Sequence, residues 1–223
     1  MSDKDFLKGI ENVLSSEQSL QFAQEMIVSF NRLMSYYKCA MMEIETKFRV
    51  LKEEYSLRHD RNPINTIESR LKRMQSIKEK LERRGVPVSI RAIEEELNDV
   101  AGIRVICSFA EDVYTIAETF LKQDDITLIE KKDYIKNPKE NGYRSLHLIV
   151  AVPIFLENEK RIMMVEVQLR TIAMVCWANL EHQLNYKKEH GFTEKMKKEL
   201  ADCAMLSAQL DEKMDELRRK VSI

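Results

Sequence analysis

The chain has 223 residues, enough for one well-buried domain or one domain with helical additions. Its 44% hydrophobic and 33% charged content is a globular balance, and a formal net charge of -1 leaves attraction to anions to local patches. That favours a small phosphorylated ligand over a long nucleic acid. The four cysteines, Cys39, Cys107, Cys176 and Cys203, show no CxxC spacing, which disfavours zinc and disulfides and fits a reducing cytoplasm. The opening Met1-Ser2-Asp3-Lys4-Asp5 is polar, and no apolar run approaches the roughly 20 residues of a membrane span. A soluble, cytoplasmic protein is expected.

Phe22, Met26, Phe30, Leu33, Tyr37, Met41, Ile44, Phe48, Leu51 and Tyr55 recur every three or four positions, which predicts one or two helices up to about residue 60, packing on a domain. Asn62-Pro63 breaks that pattern. A helix is predicted over about 70–84, ending before Gly85 and Pro87, and a short one over 89–98. Ile103, Val105 and Cys107 then alternate with Arg104 and Ile106 as in a strand, and 110–122 reads as a helix. Further strands are predicted at Ile126–Ile129, at 145–152, where Leu146, Leu148, Val150 and Val152 alternate with Ser145, His147 and Ile149, and at about 161–170. From Thr171 the chain is helical again and closes on a narrow stripe of Leu206, Leu210, Met214 and Leu217. The sum is an α+β fold: a mixed sheet of four or five strands flanked by N- and C-terminal helices, in one domain spanning 1–223.

The most informative segment is Lys139-Glu140-Asn141-Gly142-Tyr143-Arg144-Ser145-Leu146-His147, followed about twenty residues later by Glu166-Val167-Gln168-Leu169-Arg170-Thr171. Period-two geometry sends Val165, Val167 and Leu169 to one face of a strand and Glu166, Gln168 and Arg170 to the other, where they need solvent or a ligand. Asp99 stands just before Val100-Ala101-Gly102 at a strand mouth. With Glu166 it would complete a two-carboxylate magnesium site, since Mg²⁺ takes one or two protein carboxylates and fills its octahedron with water and phosphate. On the helix at 70–84, Lys72, Ser76 and Lys80 are spaced i, i+4, i+8 and share one face, opposite Leu71, Met74, Ile77 and Leu81. Two ammonium groups and a hydroxyl suit a polyphosphate. Arg70 does not share that face, so the helix is expected to begin just after it. Gly142 permits a turn that brings backbone amides to an anion, Tyr143 offers a flat face for a base, Lys139 and Arg144 bring charge to phosphates, and His147 projects from the next strand's polar face. Each feature has a plainer reading: a solvated sheet face, a capping carboxylate, surface lysines, a surface hairpin. Their conjunction in one sheet-centred domain favours a purine-nucleotide site.

These residues resemble the synthetase domain of the RelA/SpoT homologues and, within it, the stand-alone small alarmone synthetases. The matching motifs are Ile67-Glu68-Ser69-Arg70-Leu71-Lys72 with Ser76 and Lys80, Asn98-Asp99-Val100-Ala101-Gly102-Ile103-Arg104-Val105, Lys132 to Lys139, Asn141 to His147, and Glu166 to Thr171. The likeness continues through Trp177 and Glu181-His182 to Tyr186-Lys187, and the long N-terminal helix and Leu210-Asp211-Glu212-Lys213-Met214 look most like the RelP branch. The resemblance implies a nucleotidyltransferase-like sheet with a catalytic core at about 45–190, and transfer of the β,γ-pyrophosphate of ATP to the 3′-hydroxyl of GTP or GDP. It implies that Arg70 and Arg104 sandwich adenine while Lys72, Ser76 and Lys80 hold the ATP phosphates. Asp99 and Glu166 would bind Mg²⁺ as the catalytic carboxylates, with Glu166 also accepting the proton of the 3′-hydroxyl. Tyr143 would stack on guanine, and Lys139, Asn141, His147, Gln168 and Ala178 would position the guanosine nucleotide. The amphipathic end helices fit a homotetramer, and an intramolecular core explains the same stripes equally well.

The family's long members carry an N-terminal HD-type hydrolase. Here a lone His59-Asp60 pair has no histidine before it and the segment is too short for that domain, so synthesis without hydrolysis is expected. A non-catalytic nucleotide- or RNA-binding module of the same fold predicts loss of Asp99 or Glu166, and both are present; single-stranded RNA could still bind the same groove. An adenylyl-transferring enzyme would carry a D-x-D pair on one strand, whereas Asp124 and Asp125 are adjacent and would point to opposite faces.

Overall fold

A 42-residue helix, α1 (Glu17–Arg58), is the first element of the described residues. The computed structural model describes residues 17–186 and 193–221, without the side chains of 17–20, 22, 23, 185 and 186. The side chain of Phe22 and the whole of Lys187 therefore lie outside the described residues. After α1 come β1 (Ile64–Leu71), α2 (Met74–Arg83), α3 (Ile90–Glu96), β2 (Ala101–Cys107), α4 (Ala110–Leu121), β3 (Thr127–Asp133), β4 (Leu146–Phe155), β5 (Lys160–Thr171), α5 (Ile172–Tyr186) and α6 (Glu194–Val221). The strands form one sheet in the order β1-β2-β5-β4-β3, with β2 and β5 parallel and the other neighbours antiparallel. The expected α+β class and mixed sheet are what the chain adopts.

One sheet face is apolar and holds the fold. Ile103 and Val105 on β2, Leu146, Leu148, Val150 and Val152 on β4, and Val165, Val167 and Leu169 on β5 are buried there. Leu33, Tyr37, Ala40, Ile44, Phe48 and Leu51 of α1, spaced by three or four, belong to the same core, as do Val113, Ile116 and Phe120 of α4. The rings of Phe48 and Phe120 stack at 4.5 Å. At about 1.5–3 kcal/mol for each buried aliphatic or aromatic side chain, this face carries the stability and leaves the other free to be polar.

Two expectations are corrected. The helix predicted over 70–84 starts at Met74, and residues 64–71 form a strand instead. β1 is an edge strand: Thr66, Glu68 and Arg70 are exposed and only Ile64 is fully buried, so its alternation is weak, while Glu-Ser-Arg-Leu-Lys reads equally well as a helix start. The chain turns into β1 through Asn62, whose Nδ2 donates to Lys52 O and Ser56 Oγ, both at 2.6 Å, while its Oδ1 accepts from Ile64 N at 2.9 Å. Pro63 cannot extend a helix, so this junction is fixed by sequence. Met74, placed by periodicity beside Ile77 and Leu81 on the apolar face of α2, is exposed while those two are buried. The closing stripe of α6, which fitted either an intramolecular core or an interface between copies, points outward: Leu206, Leu210, Met214 and Leu217 are exposed, and Ala204, Asp211 and Asp215 are the buried residues of that helix.

Candidate active site

Strand register gathers the polar side chains on the face away from α1. One cross-strand row runs Arg70, Gly102, Glu166, Ile149, Glu130, and the next runs Glu68, Arg104, Gln168, His147, Lys132. Arg70 and Arg104 are diagonal neighbours on antiparallel strands, a relation that sets their Cα atoms about 7–8 Å apart and lets both side chains reach one ligand on this face. Gly102 carries no side chain, so the floor between Arg70 and Glu166 is open. Glu68 Oε2 accepts from Arg104 Nη1 at 3.1 Å and steadies that side of the slot.

Asp99 leads into β2 and is the meeting point of two lysines. Lys72 Nζ and Lys80 Nζ donate to Asp99 Oδ2 at 2.5 and 2.6 Å. The expected pair of ammonium groups is therefore present, but not by the expected i, i+4, i+8 spacing. Lys72 lies before α2, where its backbone N–H donates to Val100 O at 2.8 Å and prolongs the β1–β2 pairing; Ser76, half-buried, and Lys80 are on α2 itself. Burial opposes ionisation of Asp99, but the hydrogen bonds from Lys72 and Lys80 outweigh it and hold its pKa below the ordinary value. Burial likewise pushes Lys72 down, with Asp99 opposing. The second carboxylate oxygen, Oδ1, is buried without a hydrogen-bond partner.

Glu166 sits on β5 opposite Gly102. His147 Nδ1 is 3.1 Å from its Oε1, and Gln168 Nε2 donates to its Oε2 at 2.7 Å. Burial works to raise its pKa, yet His147 and Gln168 together bring it below the ordinary value, against the nearby negative charge of Asp99. The two carboxylates are thus within electrostatic reach of each other, on one side of the sheet.

Beyond Glu166 a cavity of about 190 Å³ is lined by Lys139, Tyr134, His147 and Ile149, with Glu130 and Lys132 at the β3 edge. Tyr134 and Tyr143 stand edge-on to His147, at 5.3 and 5.9 Å between ring centroids, and Lys139 Nζ lies 4.7 and 4.9 Å from the centroids of Tyr134 and Tyr143. The loop that carries these groups is tightly built. Asn141 Oδ1 accepts from Tyr143 N at 3.1 Å, Gly142 N donates to Lys139 O at 2.7 Å, and Gly142 has φ +85. Arg144, read from sequence as a phosphate contact, instead reaches away to Asp211 Oδ2 on α6 at 3.0 Å, both side chains being largely buried. A Cβ at Gly142 would lie 2.3 Å from Ala204 Cβ, and Trp177 of α5 donates to Leu200 O of α6 at 3.2 Å, so α5 and α6 buttress the loop from behind. Asn141 Nδ2 also donates to Glu181 Oε1 of α5 at 3.4 Å, and Ala178 is half-buried on α5 next to Trp177.

A family model described as a region found in RelA / SpoT proteins matches residues 69–191. The chain is 40% identical over 185 residues to the GTP pyrophosphokinase YwaC of Bacillus subtilis, covering 83% of this chain and 88% of that protein. The chain belongs to the RelA/SpoT family. It is also 35% identical over 192 residues to the GTP pyrophosphokinase YjbM of the same organism, covering 86% of this chain and 90% of that one. Among solved structures, small alarmone synthetase 1 from Bacillus subtilis bound to its product pppGpp aligns with a TM-score of 0.79 at 35% identity, over 87% of this chain and 98% of its own. Small alarmone synthetase 2 from the same organism aligns at 0.78 and 38% identity, over 86% and 98%.

In this RelA/SpoT chain, three site residues escaped the sequence reading. Tyr134 was seen only as part of a motif, although its ring walls the cavity. Arg170 was placed on the polar face without a task, and its in-phase spacing with Glu166 and Gln168 was the available signal. Asp211, the partner of Arg144, had no local signal because 67 residues separate the two.

Proposed function

We propose that the chain transfers the β,γ-pyrophosphate of ATP to the 3′-hydroxyl of GTP or GDP, making (p)ppGpp, and that it has no hydrolase activity. The observation that carries this reading is the position of Glu166 between a lysine-bound carboxylate on one side and a tyrosine–histidine cavity on the other, on a single sheet face. Transfer between two nucleotides needs a group in that place. Relatives named GTP pyrophosphokinase and a neighbour solved with pppGpp support it. The reading treats the chain as one catalytic unit with a core at about 45–190, and it places the enzyme in the cytoplasm with its substrates; no described helix is long and apolar enough to cross a membrane.

On this reading Arg70 and Arg104 take adenine between them by cation–π contact. Lys72, Ser76 and Lys80 hold the ATP phosphates, the lysines moving from Asp99 to phosphate oxygens. Tyr143 stacks on guanine, while Lys139, Asn141, His147, Gln168 and Ala178 place the guanosine nucleotide. Glu166 accepts the 3′-hydroxyl proton as that oxygen bonds to the β-phosphorus of ATP. The bond from the β-phosphorus to the bridging oxygen of the α-phosphate breaks, and AMP leaves with that oxygen. The protein's part is alignment and charge neutralisation more than covalent chemistry. Asp99 and Glu166 fit a Mg²⁺ ion, because Asp99 Oδ1 is buried with no partner and both carboxylates are held ionised. Bound there, the ion would neutralise charge on the transferred group.

Incubation with ATP, Mg²⁺ and each guanosine nucleotide in turn tests the reading. AMP and a guanosine product bearing a 3′-pyrophosphate are expected, and failure to form such a product with every acceptor would sink it. Tyr143→Ala should raise the acceptor KM about tenfold or more, the loss of a stack worth about 1–3 kcal/mol, with little change in the KM for ATP. An unchanged acceptor KM in steady-state kinetics would rule out stacking.

The assembly proposed is a homotetramer. Leu33, Tyr37, Ile44, Phe48 and Leu51 of the α1 stripe are buried in the intramolecular core, whereas Leu206, Leu210, Met214 and Leu217 are 64%, 54%, 44% and 53% exposed, a contiguous apolar stripe that another copy would cover. Light scattering should give a mass of four chains for the wild type and a smaller one for Leu210→Glu combined with Met214→Glu. A wild-type monomer would refute the proposal.

A further inference from the structure

A closed ring of hydrogen bonds joins Glu166 to Tyr143. His147 Nδ1 is 3.1 Å from Glu166 Oε1 and His147 Nε2 is 2.9 Å from Tyr143 Oη. Arg170 Nη2 donates to Tyr143 Oη and, at 2.8 Å, to Gln168 Oε1, and Gln168 Nε2 donates to Glu166 Oε2 at 2.7 Å. The Arg170 side chain is anchored by its Nε, which donates to Ser145 Oγ at 3.3 Å, and the residue is only 5% exposed.

The direction of each proton follows from the two ends of the ring. A guanidinium only donates and a carboxylate only accepts. His147 must therefore carry a proton on Nδ1, the nitrogen facing Glu166. In a neutral imidazole Nε2 is then bare and takes the proton of Tyr143 Oη, whose lone pair receives Arg170. In the other arm the Gln168 carbonyl faces Arg170, so its NH₂ faces Glu166. Two donor chains thus start on one buried guanidinium and end on the two oxygens of one carboxylate.

We infer that Arg170 is a positioning residue: through Tyr143 and His147 on one side and Gln168 on the other, it fixes the orientation of Glu166 and ties that orientation to the aromatic ring bearing the acceptor. The inference deepens the proposed function and rests on it for the roles of Glu166 and Tyr143. It gives the acceptor site a part in catalysis beyond binding, because the ring that holds guanine also aims the base. It also assigns Tyr143 two separable tasks, a face for stacking and a hydroxyl for the relay.

Tyr143→Phe separates them. It keeps the stacking face and removes the hydroxyl, so the acceptor KM should stay near the wild-type value while kcat falls about 5- to 20-fold. Arg170→Gln should lower kcat further, with Arg170→Lys between the two because one ammonium can serve only part of the fork. Nitrogen NMR of histidine-labelled protein should find a proton on Nδ1 of wild-type His147, and that Nδ1–H hydrogen bond should weaken in Tyr143→Phe. A wild-type His147 without a proton on Nδ1, or a Tyr143→Phe enzyme with unchanged kcat, would overturn the inference. If Arg170→Gln fails to fold, Tyr143→Phe decides alone. Absence of any alarmone product from the wild type would count against the function instead, and the tautomer would still decide the ring.

Discussion

Glu166→Gln should lower kcat by a factor of about 10²–10⁴, the usual contribution of a placed general base, while guanosine nucleotide binding persists. The swap is nearly isosteric but removes the charge and the proton acceptor. It also turns an acceptor-only group into one with a donor face. Both oxygens of Glu166 now receive hydrogen bonds, from His147 and from Gln168, so the new NH₂ must confront one of those donors. Of the residues proposed to bind the acceptor, Tyr143 and Lys139 make no hydrogen bond to Glu166, whereas His147 and Gln168 do, so GTP binding should weaken far less than kcat falls. Single-turnover product formation together with an equilibrium titration of GTP separates the two effects; full turnover would remove Glu166 from the mechanism. The pH dependence has a definite sign. The Glu166 carboxyl is held below its ordinary value of 4.5, so it is ionised throughout the neutral range, and activity that depends on the base form should be lost only as pH falls below about 4.5. Asp99 is lowered in the same way. The stability that both groups contribute is present above their unfolded values and is lost as pH falls through the folded ones.

Gly142→Ala should strike the acceptor site from the side opposite the chemistry. At φ +85 an alanine is strained by about 1–2 kcal/mol, and its Cβ would come within 2.3 Å of Ala204 Cβ. Neither atom is the loose end of a flexible side chain, so the loop or α6 must move. Asn141, Tyr143 and Lys139 move with the loop, and misplacement by about 1 Å can cost 10²-fold in rate. The acceptor KM should rise at least tenfold with the KM for ATP nearly constant, and thermal unfolding should shift down by a few degrees. Adding Ala204→Gly should recover part of the loss, since it relieves the collision and leaves the backbone strain. Wild-type acceptor kinetics in Gly142→Ala would show that the loop does not depend on α6.

Much of this site was legible in the sequence because alternation is clear over 101–105 of β2, 146–148 of β4 and 163–169 of β5. Val165, Val167 and Leu169 against Glu166, Gln168 and Arg170 leave one assignment of faces, and register then aligns Gly102 with Glu166 and His147 with Gln168. β1 was not legible, because an edge strand with one neighbour buries too little to impose a pattern on Glu68, Ser69 and Arg70. That omission explains the misassigned geometry of Lys72, which belongs to the end of a strand and not to a helix face. Arg144 was misread for another reason. A cation beside a glycine turn has the chemistry of a phosphate ligand, and only the packing of α6 shows that it is spent on Asp211. Burial pushes the Asp211 carboxyl up in spite of Arg144 and the Thr171 hydroxyl, a cost that no sequence pattern within α6 announces. The same helix buries Asp211 and Asp215 and displays Leu206, Leu210 and Leu217, the reverse of what its periodicity suggests for a chain considered alone.

The transfer itself is most directly tested by following ATP labelled separately at its α- and β-phosphorus in the presence of a guanosine nucleotide. The β label should appear in the guanosine product while the α label remains in AMP. Movement of the α label onto the acceptor with release of pyrophosphate, or β label passing only to water, would contradict attack by the 3′-hydroxyl at the β-phosphorus.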